Sequence, residues 1–229
     1  MIENKVIPES TDVEFGSKAI FFWEYYGKKI LIGLGIAVVL AGAYLAYRHY
    51  VVEPDEAKAS EAMFRAQEYF GQDSVRLALN GDNVNLGFVK LNDRYSGTKS
   101  GKLAGYYAGA CYLKMGDYAN AVKYLKDFST DSKQIQARAY CLLGDALSEQ
   151  GKKPEAAELY SKAGKYFDKD DYNSPEYLFR AGYLYESIGK NKEAIEMYKL
   201  IKQKYSRSER GFEIDKYLAR LGVTDTEKN

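Results

Sequence analysis

Ala108 to Ala121 reads AGACYLKMGDYANA, Leu143 to Ala156 reads LGDALSEQGKKPEA, and Ala181 to Ala194 reads AGYLYESIGKNKEA. The three stretches share one frame. A glycine (Gly109, Gly144, Gly182) follows a small or aliphatic residue, and three residues on stands Tyr112, Leu147 or Tyr185. Seven residues after the first glycine comes a second (Gly116, Gly151, Gly189), then an alanine (Ala121, Ala156, Ala194), then Leu125, Tyr160 or Tyr198. The period is 35 and then 38 residues. The first glycine leaves room for a partner helix to approach. The second ends a helix A and permits a tight turn. The alanine lets helix B pack back without a clash. A fixed period of this size is the signature of a helix-turn-helix solenoid, so the chain is expected to be all-α. The competing reading is an unrelated helical bundle whose glycines coincide; it does not require the whole frame to recur in register.

The three motifs resemble tetratricopeptide repeats, which places three repeats over 102–205. The resemblance implies a surface for holding other proteins rather than a reaction centre. Composition agrees with one domain that has a substantial core plus appendages: 229 residues, 46% hydrophobic, with 4 Pro. Tyr, at 22, is unusually frequent and suits packing between helices with a wet edge. Lys plus Arg (33) nearly equals Asp plus Glu (32), and a net charge of +1 gives no argument for nucleic acid.

Ile30 to Tyr47 (ILIGLGIAVVLAGAYLAY) is 18 residues without a charge, close to the minimum for a spanning helix. Lys28 and Lys29 bound it on one side, and Arg48 and His49 on the other. Phe21, Phe22, Trp23, Tyr25 and Tyr26 precede it and Tyr44, Tyr47 and Tyr50 close it, the distribution of interfacial belts. A buried core helix is opposed by the lack of anything else apolar enough to surround this one. A cleaved signal peptide is the sharper rival, because Ala41-Gly42-Ala43 mimics a cleavage site. Against it, the leader before the apolar run is long and carries Glu3, Glu9, Asp12, Glu14 and Glu24, where a signal n-region is short and basic. The expectation is a retained transmembrane helix over 30–50 behind a cytoplasmic leader at 1–29. The positive-inside count is nearly even, but the Lys28-Lys29 pair abuts the membrane and puts the N-terminus inside. Gly33, Ala37 and Ala41 form a smooth ridge that would let another transmembrane helix approach closely; Gly and Ala are also simply common in such helices.

Glu53-Pro54-Asp55 opens a further helix with acids in its first turn. Ala59, Ala62, Met63, Ala66 and Phe70 give it a packing face. Asn80 to Asn85 is a turn cluster, Leu86 to Tyr95 a short helix, and 55–97 reads as a degenerate first helical unit. Phe212, Ile214, Tyr217, Leu218 and Leu221 suit a capping helix over 207–222. A tail follows at 223–229, of which Thr224 to Asn229 is expected to be disordered.

No catalytic constellation, cofactor motif or metal set is visible, and the chain is read as a non-enzyme. Its single histidine, His49, sits at the membrane boundary. Cys111 and Cys141 fall inside successive A helices and read as small buried apolar residues. The repeat register places certain helix A residues on a concave groove: Leu103, Tyr106, Ala110 and Leu113, then Arg138, Cys141, Asp145 and Ser148, then Glu176, Phe179, Tyr183 and Glu186. Repeats that bind chaperone carboxylates use a clamp of Lys, Asn and Arg. Here Tyr106 and Ala110 replace its first Lys and Asn, and only Arg180 falls where a clamp cation is expected.

The run Phe21-Phe22-Trp23-Glu24-Tyr25-Tyr26-Gly27-Lys28-Lys29, followed by Gly33-Leu34-Gly35 and by Gly42-Ala43-Tyr44-Leu45-Ala46-Tyr47-Arg48, resembles the anchor of the YfgM-like family. Those bacterial inner-membrane proteins have a short acidic cytoplasmic leader, one transmembrane helix and a periplasmic tetratricopeptide-like domain. The resemblance implies partners: a SecYEG-type translocon, a membrane-anchored periplasmic foldase and exported polypeptides. The alternative is a scaffold for another cell-envelope assembly, such as an outer-membrane secretion or cell-wall complex. The layout expected is therefore an N-terminal transmembrane helix followed by an α-solenoid of tetratricopeptide-type hairpins.

Overall fold

A computed structural model describes residues 11–224, of which 11–21 by backbone alone. The acidic leader before Thr11, the Phe21 ring and the tail after Thr224 lie outside the described side chains. Among the described residues every regular element is helical, apart from one isolated antiparallel bridge between Gly81 and Leu86. The chain divides into two compact units, at Glu53 and Pro54.

The first unit is dominated by α1 (Thr11–Tyr47), 37 residues long and followed by a π-helical turn over Arg48–Val52. At about 1.5 Å per residue it exceeds the hydrocarbon thickness of a bilayer, roughly 30 Å. It therefore starts well before the apolar run at Ile30 and takes in the aromatic segment. Its apolar window is long enough to cross a membrane, and none of that window is buried. Aromatic rings collar α1 just before the lysine pair. Tyr26 lies 5.1 Å from Phe22 and 4.7 Å from Tyr25, and the Lys29 ammonium sits 5.3 Å from the Tyr25 ring. Gly27 is buried beneath the Trp23 indole, which a Cβ there would meet at 3.3 Å. By contrast, nothing described comes within 4 Å of where a Cβ at Gly33 would sit.

The second unit is an array of packed helices. It begins with α2 (Glu53–Gly71), α3 (Val75–Asn80) and α4 (Phe88–Arg94). Three hairpins follow: α5 (Lys99–Lys114) with α6 (Tyr118–Lys126), α7 (Lys133–Glu149) with α8 (Lys153–Tyr166), and α9 (Asn173–Ser187) with α10 (Asn191–Lys204). The chain closes with α11 (Glu209–Arg220). Each helix from α4 onward packs on the next, as a solenoid requires.

The repeat frame explains the hairpins atom by atom. A Cβ on Gly109 would collide with the Leu125 side chain, one on Gly144 with the Tyr160 ring, and one on Gly182 with the Tyr198 ring. The glycine and the large residue of helix B are thus a lock and key. The second glycines take φ of +75° (Gly116), +77° (Gly151) and +75° (Gly189), a region costly for any residue with a Cβ. The next residue's N–H (Asp117, Lys152, Lys190) donates to the carbonyl of Tyr112, Leu147 or Tyr185 at 2.9 Å, the bond that closes a helix C-terminus.

Two cores run through the unit and meet at α5. One gathers Ala59, Met63, Ala66, Leu79, Phe88 and Leu91 with Ala104, Ala108 and Cys111. The other extends from Tyr106 and Leu125 through Tyr160, Leu178 and Tyr198 to Ile214 and Leu218. Glu56 on α2 fastens the first core, because its carboxylate accepts from the backbone N–H groups of Lys99 (2.6 Å) and Ser100 (3.0 Å) at the positive end of α5.

The chain carries an internal echo outside the repeat frame: Tyr95-Ser96-Gly97-Thr98-Lys99-Ser100-Gly101 against Tyr205-Ser206-Arg207-Ser208-Glu209-Arg210-Gly211. In both, the hydroxyl of Thr98 or Ser208 donates to the preceding tyrosine carbonyl at 2.7 Å and accepts from the glycine N–H, at 2.9 Å and 3.0 Å. The last helix therefore begins as α5 begins, so α11 is helix A of a further unit that has no helix B of its own among the described residues.

Candidate functional site

The A helices α5, α7, α9 and α11 contribute the residues expected to line a groove. Their surroundings separate them into two groups. Tyr106, Ala110, Cys141 and Phe179 are buried. The Tyr106 ring packs on Phe128 and Tyr107 at 5.3 Å, and Phe179 packs edge-on against Tyr217 at 4.8 Å. They hold neighbouring units together and are not an open lining; large rings gain more from removal from water than from display. Leu103, Leu113, Asp145, Ser148, Glu176 and Glu186 are part-buried, and Arg138, Arg180 and Tyr183 are exposed.

The charges among them form a ladder that sequence reasoning missed. Asp145 of α7 accepts from Arg180 of α9 at 3.1 Å. Glu176 of α9 accepts from Arg210 of α11 at 2.7 Å, and Glu186 of α9 from Arg220 of α11 at 2.7 Å. The partners stand 35, 34 and 34 residues apart, close to the repeat period, so each acid is answered by an arginine of the next A helix. That spacing was readable in the sequence, but acids and arginines recur too often for spacing alone to single out these pairs.

Each rung is reinforced from the side. The Tyr160 hydroxyl donates to Asp145 at 2.7 Å and the Tyr198 hydroxyl to Glu186 at 3.1 Å. Arg180 also reaches Glu176 at 3.0 Å, and Arg210 lies 4.0 Å from the Phe179 centroid. Partial burial opposes ionisation of Glu176, yet the bonds from Arg210 and Arg180 outweigh it and hold the carboxyl below its ordinary range. Burial, reinforced by Asp145, lifts the Tyr160 hydroxyl well above the usual phenol range, so it stays a donor. Arg180, which sequence placed at a clamp position, is thus engaged within the chain at two carboxylates.

Both cysteines are free and buried, and burial pushes each thiol up to about 12. Among the described residues no group of three His, Cys, Asp or Glu could hold a metal ion. The face is chemically suited to pairing and packing against other side chains.

A family model described as a tetratricopeptide repeat-like domain matches residues 21–214. Comparison with curated proteins gave no match. Repeats of this kind serve protein–protein interaction.

Proposed function

The chain belongs to the tetratricopeptide repeat-like domain family, and we propose that it acts as a non-catalytic, membrane-anchored interaction subunit, an ancillary component of a Sec-type translocon that assists newly exported polypeptides. In this reading α1 spans a bacterial inner membrane with its N-terminus cytoplasmic, and the repeats stand in the periplasm beside a foldase. The observation that carries it is the order of parts along the chain. One helix is apolar enough to span and is ringed by aromatics beside Lys28 and Lys29, and the family match runs through that helix into the repeats. The YfgM-like character of the anchor supplies the translocon.

Affinity purification of the full chain in mild detergent tests the partner. Recovery of SecYEG-type components supports the proposal. A stable complex with none of them replaces it by the scaffold of another envelope assembly. A cysteine placed near Asn229 tests orientation: it should react with an impermeant maleimide once the outer barrier is opened, and protection until the inner membrane is lysed would reverse the topology.

A further inference from the structure

The three rungs share a second regularity. Asp145 stands one residue after Gly144, and its Arg180 stands two residues before Gly182. Ala219 of α11 holds the place of Gly109 when the echoing starts at Thr98 and Ser208 are aligned. With that alignment, Glu176 and Arg210, and likewise Glu186 and Arg220, show the same offset. The arginine lies three places earlier in its helix than the acid does in the helix before.

Arg138 stands six residues before Gly144, so the offset points to the place three before Gly109. That residue is Tyr106. Burial raises the Tyr106 hydroxyl above the usual phenol range and Arg138 opposes that rise, as a cation facing this position would. No acid is available there. Arg138 is exposed and makes no ion pair among the described residues, whereas Arg180, Arg210 and Arg220 are each tied to a carboxylate. One turn before Arg138, a cleft of about 500 Å³ lies between the starts of α5 and α7, lined by Leu103, Phe128 and Ile135 with Lys99, Lys102 and Asp131. Among the described residues neither lysine ammonium pairs with a carboxylate.

We propose that Arg138 is a ladder position left open for a partner, and that it receives an acidic side chain of an extended peptide whose neighbouring apolar residue enters the cleft between α5 and α7. The occupant is an acidic peptide because the free charges on this stretch are mainly cationic and the rungs on α9 and α11 are already closed. Side-chain carboxylates fit better than a single chain terminus, since Lys99 and Lys102 line the cleft and Arg138 follows its Ile135 by three residues on α7, so more than one cation is offered. This rests on the reading that the repeats hold protein partners, but not on the partner being a translocon.

The test is fluorescence anisotropy with the full chain in detergent and a short labelled peptide of alternating Glu and Leu. Arg138→Gln should weaken binding about tenfold, equivalent to roughly 1.4 kcal/mol, and added salt should weaken the wild type more than the variant. Replacing the peptide's Glu by Gln should cost as much, while amidating its C-terminus should cost nothing. Arg207→Gln, at an exposed arginine outside the ladder, should leave binding unchanged. Arg138→Glu should prefer the Lys counterpart of the peptide. Equal binding by wild type and Arg138→Gln overturns the inference, as does loss on amidation alone or no binding to the wild type. None of these results bears on the translocon assignment, which co-purification decides separately.

Discussion

Glu176 and Arg210 meet at 2.7 Å across 34 residues of sequence, joining the third repeat to the closing helix. Both side chains are about two-thirds shielded from solvent. The pair therefore avoids the screening that makes most surface bridges nearly worthless, and it does not carry the full desolvation cost of a buried one.

Glu176→Gln is expected to destabilise the repeat array by about 1–2 kcal/mol, the value of a charge-assisted bond that is partly exposed. Its pH dependence has a definite sign. The folded-state pKa of Glu176 lies below the ordinary 4.5, so its contribution is present above that value and fades as pH falls through the folded-state pKa. Denaturant melts of the two proteins should converge as pH drops below about 4.5. A constant gap across that window would refute the assignment.

Gly144→Leu should cost about 1–3 kcal/mol through overpacking, because even a Cβ would stand 2.8 Å from Tyr160 Cε1 and 3.3 Å from the Ala156 carbonyl. Since neighbouring units share one core, the loss should spread beyond the second repeat. Hydrogen exchange should report faster opening in α9 as well as in α7 and α8; an unchanged melting temperature would sink the glycine–ring pairing.

Ser208→Ala removes the cap of α11 and should lower stability by about 1 kcal/mol, concentrated in the closing helix. Thr98→Ala should do the same at α5, where the hydroxyl makes the matching pair of bonds. Local exchange rates at Gly211 and Gly101 are the readout, and no acceleration at either would separate the echo from any role in capping.

Cys111 and Cys141 should resist thiol reagents in the folded chain near neutral pH, since thiols pushed up to about 12 carry almost no thiolate there. Denaturant should release both. Prompt labelling of the native protein would contradict their burial.

If the proposed docking through α1 holds, replacing Gly33, Ala37 and Ala41 together by Leu keeps α1 apolar and insertion normal while releasing the protein from the proposed membrane complex on a native gel. If the triple variant still co-migrates with its partner, the ridge is not the contact, and attachment falls to the aromatic collar or to the repeats.

Helix class, repeat period, turn positions and the apolar first helix were legible in the sequence, because each follows from a local or periodic constraint. Gly116, Gly151 and Gly189 announce a left-handed turn by being glycine, and Ile30 to Tyr47 announces a span by carrying no charge. The character of the A-helix face was not legible. Tyr106, Ala110 and Phe179 occupy groove positions by register yet are buried, since a ring's fate depends on which neighbour can cover it. The mixed charges of that face are not an open lining, because Asp145, Glu176 and Glu186 are answered by arginines of the following A helix. The 34- and 35-residue spacing that brings those residues to adjacent rungs is written in the chain. Which acid meets which arginine follows from the packed helices alone, because a hydrogen bond is settled over a few ångströms that helix packing, and not residue spacing, controls.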